Sequence, residues 1–201
     1  LNQELYSEEP TAEFRFGNTV ATDGVTVAVT SERFEAVGSS TEYNGSVELF
    51  TYDPTVDNGV DENDIPLPLG SWTFDQRLEK ENGLGSQFVG YGDVLALDDD
   101  HLAVGAPMSA DSRGLVVMYR RVAGEWLPLE LLSETSLGAD TLYGASISIS
   151  DGRMIIGAPG ANDGDGLIFV YEFMDIDNTW KEVWTSGPLL GDDGASFGTA
   201  V

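Results

Sequence analysis

The sequence predicts an all-β protein built from a repeated unit of four antiparallel strands, and three observations carry that expectation. Along residues 145–150, Ala145, Ile147 and Ile149 alternate with Ser146, Ser148 and Ser150, the period-2 pattern of a strand with one apolar face. Asp151-Gly152 separates that run from a second apolar one. It is a two-residue hairpin signal, because glycine accepts the positive φ of a type I′ turn. The unit then recurs: Ile156 follows Tyr143 by 13 residues as Val104 follows Tyr91, and Gly114 to Tyr119 matches Gly166 to Tyr171. Trp72, Trp126 and Trp180 stand 54 residues apart each time, a period in the range of repeat architectures.

Taken in order, the first copy opens at Phe16-Gly17 and predicts strands over residues 19–22, 25–29, 46–51 and 72–78. It has Val29-Thr30-Ser31 where the later copies have Gly-Ala-Pro, and a longer loop between its second and third strands. The second copy predicts strands over 93–97, 102–105, 115–119 and 126–132, the third over 145–150, 153–157, 167–171 and 180–185. Pro128 lies inside a Trp-led strand, which suits a sheet edge and not its middle, so the Trp-led strands are expected outermost. Residues 51–71 form an insert carrying Asp53, Asp57, Asp61, Glu62 and Asp64. It reads as a mobile surface loop, with a cation or partner site as the other reading. Residues 3–7 and 196–201 read as strand-like fragments of neighbouring copies, the latter from Phe197-Gly198.

The order Phe/Tyr-Gly, short strand, apolar pair, Gly-Ala-Pro, then Gly and an aromatic-ended strand resembles the FG-GAP repeat of integrin α-subunit heads and of secreted bacterial and algal proteins. The resemblance implies a β-propeller with one repeat per four-stranded blade. Blades then fall at about 16–78, 91–132 and 143–185, with partial blades at 1–15 and 197–201. Three blades do not close a ring, so the ends are expected to meet further repeats of the same chain or a second copy. The absence of a signal peptide ahead of Leu1 suggests a processed or excised piece. The function implied is a non-enzymatic adhesion or structural assembly module at the cell surface or outside the cell, with a protein or glycan ligand. The alternatives are a lectin-like propeller and the propeller of a secreted hydrolase or lyase.

With 35 Asp and Glu against 9 Lys and Arg, the formal charge is −26. Such a surface repels nucleic acid and anionic membranes, which are bound through clustered cations, and suits cations, basic partners or a salty exterior. No window is apolar enough for a membrane helix. There is no cysteine, which removes disulfide and thiolate chemistry.

Integrin-type repeats often hold calcium in an Asp-x-Asp-x-Asp-Gly-x-x-Asp loop before Gly-Ala-Pro. Here Asp23-Gly24 and Asp151-Gly152 are too short, and Asp98-Asp99-Asp100 lacks the Gly and Asp that should follow. These residues read as turns. The remaining calcium candidates are Asn162, Asp163 and Asp165 in the loop after the last Gly-Ala-Pro, with Asp111 at the equivalent place one copy earlier; their oxygens are the hard donors calcium takes. Asp175-Ile176-Asp177-Asn178 is weaker. Asn44 heads an Asn-Gly-Ser glycosylation sequon. His101, the sole histidine, reads as a solvated or structural turn residue, and no nucleophile stands in an elbow motif. Trp72, Trp126, Trp180, Trp184, Phe16, Tyr91, Tyr143 and Phe197 recur at repeat positions and are expected to pack between copies.

Overall fold

The computed structural model describes residues 3–7, 14–37, 40–79, 89–187 and 194–201. Its twelve strands form three four-stranded antiparallel sheets, each built from one copy of the repeat in sequence order. Sheet 1 holds β1 (Phe14–Thr22), β2 (Thr26–Val37), β3 (Ser40–Asp53) and β4 (Ser71–Glu79). Sheet 2 holds β5 (Val94–Asp98), β6 (His101–Ala106), β7 (Leu115–Val122) and β8 (Glu125–Leu132). Sheet 3 holds β9 (Ser146–Ser150), β10 (Arg153–Ala158), β11 (Leu167–Met174) and β12 (Thr179–Thr185). The leading strands β1, β5 and β9 lie one against the next, and each Trp-led strand is a sheet edge. Pro128 accordingly sits in edge strand β8, opposite Tyr119.

The only helical pieces among the described residues are two four-residue turns, α1 (Ser109–Ser112) and α2 (Ala161–Gly164), one after each Gly-Ala-Pro. Left-handed residues interrupt both: Ala110 and Asp111 in one, Asn162 and Asp163 in the other. No described helix is long and apolar enough to cross a membrane.

The hydrophobic core is divided into two, one at each junction between sheets. Between sheets 1 and 2 lie Val47, Leu49, Leu95, Leu97, Leu102, Val104 and Trp126; between sheets 2 and 3 lie Val116, Met118, Ile147, Met154, Ile156, Phe169 and Trp180. The division follows from the pleat, which sends successive side chains to opposite faces. Along β7, Leu115, Val117 and Tyr119 point to sheet 1 while Val116 and Met118 point to sheet 3. Sheet 2 is therefore covered on both faces, which suits the unbroken apolar run from Leu115 to Tyr119 in β7.

The structure differs from the sequence reading in four places. The region between the second and third strands of the first copy is not a loop: β2 and β3 continue as a ribbon to the pair Val37↔Ser40. Thr30, not Val29, stands in place of the Gly of Gly-Ala-Pro, since Thr30 lies opposite Val47 as Gly105 lies opposite Val116. Residues 3–7 and 194–201 contain no strand; Phe197 makes only an isolated bridge to Gly166. The insert is closed by its own bonds, from Leu67 N–H to Gly59 O, Asp61 N–H to Ile65 O and Gly70 N–H to Val56 O. Asp151-Gly152 behaves as expected, with φ of 51° and 70°, both positive as a type I′ turn requires.

Candidate functional site: the junctions between sheets

Three contacts recur at the junctions. In the first, backbone approaches backbone so closely that only glycine fits. A Cβ on Gly114 would stand 2.0 Å from the Tyr143 carbonyl oxygen, and one on Gly166 2.0 Å from that of Phe197. A Cβ on Gly157 of the last Gly-Ala-Pro would meet the Gly198 oxygen at 2.0 Å. The aromatic-Gly pair of each copy is thus seated on the glycines of the copy before it.

The second is a buried tyrosine pair within a copy, facing the junction core. Tyr91 and Tyr119 share a 2.6 Å hydrogen bond, and Tyr143 Oη donates to Tyr171 Oη at 2.8 Å. Burial, the largest influence, pushes Tyr171 up to about 12 and holds Tyr91 and Tyr143 well above the usual phenol value, so the pairs stay protonated. The first copy keeps the geometry without the hydroxyls: Phe16 and Phe50 meet edge to face at 6.1 Å.

The third contact is a latch four residues after each tryptophan. Gln76 accepts from the Trp126 N–H at 2.8 Å and donates to the Trp126 carbonyl at 2.9 Å. Glu130 does the same work one junction on, accepting from the Trp180 N–H and from Thr179 Oγ1. Gln3 grips both backbone groups of Trp72 in the same way. A bulge makes the latch possible by re-aiming side chains. The β3–β4 register passes from Leu49↔Gln76 to Phe50↔Phe74, skipping Asp75; β7–β8 skips Leu129 and β11–β12 skips Val183 at the same place. Replacing Glu130 by Ala is expected to destabilise the protein by about 1–3 kcal/mol, through a lost charge-assisted bond and an unpaired N–H. Glu130→Gln, which restores the chemistry of Gln76, should lose less than about 1 kcal/mol; urea midpoints of the two variants check this.

The sequence reading missed the latch, although Trp-x-x-x-Gln and Trp-x-x-x-Glu are visible in it. It also placed Trp184 among the packing aromatics. Trp184 is 53% exposed and occupies the latch position of sheet 3, because a side chain aimed out of the bulge leaves its own sheet.

The calcium candidates are spread over the two turns, with Asn162 and Asp163 lining one open cleft of about 520 Å³ beside Asp140 and Thr141. Asn162 and Asp163 are exposed, whereas Asp165 accepts from the Gly194 N–H at 3.0 Å and so holds the next linker. Asp111 lies in the other sheet's turn, its carbonyl accepting from the Asp140 N–H. In the insert, Asp53 caps Thr55 and Asp61 caps the N–H groups of Asn63 and Ile65. Those bonds, from the Thr55 hydroxyl first for Asp53 and from Ile65 first for Asp61, hold both carboxyls below the usual range. Asp177 pairs with Lys181. Among the described residues no three Asp, Glu or His side chains gather as metal ligands would. Asn44 lies in β3 opposite Arg33; its side chain lies outside the described residues.

Besides the cleft of Asn162 and Asp163, two more open beside these contacts. One, of about 490 Å³, lies between the hairpins of sheets 2 and 3 and is lined by Asp98, Asp99, Asp100, Asp151, Glu172 and Asp175, with His101, Arg120 and Arg153. Its carboxylates are partly engaged: Asp98 accepts from the Asp151 N–H at 2.7 Å, Asp100 from Arg120 Nε at 3.0 Å, Glu172 from Arg153 Nε at 3.1 Å. The other, of about 600 Å³, lies where the insert meets β4, lined by Tyr52, Asn58, Trp72 and Gln3. The aspartates 98–100, which the sequence marks only as a turn, become part of a cleft because the next sheet's hairpin stands beside them.

Compared with protein-family models and with curated proteins, the chain matches none.

Proposed function

We propose that this chain is a segment of an FG-GAP β-propeller and that it works as a non-enzymatic adhesion or structural assembly module outside the cell or on its surface. One observation carries the reading. The glycine seat and the tyrosine pair, the features of the repeat that the resemblance rests on, lie at the sheet junctions and recur from one to the next. Leading strands side by side and Trp-led strands outermost suit a radial arrangement of blades. A module whose repeated geometry is concentrated at the junctions between blades is built to hold a shape and present its loops.

In this reading the ligand is a protein or glycan, and the acidic cleft favours a partner with basic side chains. The further contacts are blades of the same kind, from the same chain or another copy. The strongly acidic surface suits a saline exterior. A second reading, a lectin, draws on the cleft beside the insert. Tyr52 and Trp72, with centroids 5.2 Å apart, line it together with Asn58, an aromatic and amide pairing that sugars use.

Surface-immobilised chain tests both readings. Capture of a basic protein ligand or of whole cells, unaffected by free sugars, is the expected result. Selective binding to a glycan array carries the lectin reading and overturns the first. Turnover of any glycan overturns both.

A further inference from the structure

The two junctions differ at one matching point of side-chain contact in particular. Three residues before Val29 and Val104 stand Thr26 and His101; two residues after Tyr119 and Tyr171 stand Arg121 and Phe173. At the first junction, Arg121 reaches from sheet 2 to Thr26 Oγ1 at 3.3 Å, Thr51 Oγ1 at 3.5 Å and Asp75 at 3.6 Å. No histidine takes part in these contacts, the sequence having only His101. At the second, Phe173 and Trp180 of sheet 3 close over His101, their ring centroids 4.4 Å and 5.3 Å from the imidazole.

His101 is 8% exposed. Its Nδ1 lies 2.9 Å from Asp100 Oδ1, and its Nε2 is buried with no hydrogen-bond partner among the described residues. The neutral ring fits that setting. A second proton would place an N–H where no acceptor waits, which is costly in a buried site. It would also set a new cation beside Arg120, which already binds the same carboxylate at 3.0 Å and lies over the Phe173 ring at 5.0 Å. Arg120 further donates to Asn178 at the turn of β11–β12, so His101, Asp100 and Arg120 together hold the sheet 3 hairpin.

We infer that His101 makes the second junction a pH-sensitive clasp. The uncharged imidazole seals sheet 3 against sheet 2; its protonation in mildly acidic surroundings loosens the β11–β12 hairpin and widens the acidic cleft, while the first junction holds. The charged groups facing the ring are Asp98 and Asp100 from its own hairpin, Arg120 from β7 and Asp175 from the β11–β12 turn. Burial outweighs the carboxylates and holds the imidazole below its usual value, with Arg120 acting in the same direction. The sign follows from linkage: the unfolded chain takes up the proton at about pH 6.5 and the folded chain only lower. The stability contributed by the neutral ring is complete above about pH 6.5 and is lost progressively as the pH falls below it.

Because the sequence has one histidine, proton NMR of the full chain reads this site without ambiguity. The imidazole is expected to titrate below about pH 6.5. The Trp180 indole resonance should move with the same midpoint while that of Trp126 stays still. In denaturant, the midpoint of the wild type should fall relative to that of His101→Phe as the pH goes from about 7.5 to 5.5. If the Phe variant does not fold, His101→Gln serves the same comparison. An imidazole titrating at or above about pH 6.5, parallel curves for the two proteins, or equal movement of both indoles would overturn the inference.

Discussion

Gly114→Ala is expected to destabilise the protein by roughly 2–5 kcal/mol, combining the left-handed backbone with an overpacked contact. Gly114 has φ of +83°, and its new Cβ would meet three backbone atoms of Tyr143 at 2.0, 2.6 and 2.8 Å. Backbone cannot turn aside as a side chain can, so the second junction itself must part. Gly124→Ala is the control. Gly124 has φ of +94° with nothing within 4 Å of the added carbon, and only the conformational strain, about 1–2 kcal/mol, applies. Thermal or denaturant unfolding of the pair separates strain from contact. Equal losses would mean that the close approach to Tyr143 contributes nothing.

Trp126→Ala should be of similar size, about 3–5 kcal/mol. Trp126 is almost wholly buried in the core between sheets 1 and 2, and its backbone is held by Gln76. Its indole N–H is buried without a partner among the described residues. Trp126→Phe therefore gives up volume and no hydrogen bond, and should retain much of the stability. Trp184→Ala, on an exposed side chain, should change stability by less than about 0.5 kcal/mol. Unfolding midpoints of the three variants check the order; a Trp184 effect as large as that of Trp126 would show that the exposed residue is packed after all.

What could be read from the sequence was whatever repeats locally. Alternation along 145–150 and Asp151-Gly152 are short-range signals, and they led to the right hairpin with the right turn. The strand order within each sheet followed because antiparallel neighbours joined by short connections pair in sequence. The β2–β3 ribbon was hidden by comparison with the other copies, where a Gly-rich turn ends the pairing soon after Gly-Ala-Pro. In the first copy the pairing runs on from Ser31↔Ser46 to Val37↔Ser40 without such an interruption. The latch was hidden for another reason. Gln76 and Glu130 lie on edge strands where a polar residue is unremarkable, and only the bulge turns them toward the next tryptophan.

Charge was the poorest guide. Glu48, wholly buried in β3, takes the place of Val117 and Phe169 in the later copies and is held by Arg77 at 3.7 Å and by the Ser7 hydroxyl. A carboxylate in an alternating strand reads as solvent-facing, and its partners come from far along the chain. For His101 the sequence left two readings, solvated or structural: the three aspartates before it suggest water, whereas Phe173 and Trp180 arrive from the following sheet and bury it.

The pairs Tyr52↔Trp72 and Asp53↔Ser71 bring the two ends of the insert together at the tip of the β3–β4 hairpin. Closing a loop costs entropy that grows only with the logarithm of its length, about 0.6 kcal/mol for each doubling. The sheet beneath is thus nearly indifferent to what lies between residues 54 and 70. That hairpin is a natural cassette: its contents can be exchanged for a short turn or a foreign segment, and displayed at the hairpin's tip, without rewriting the three sheets that carry it.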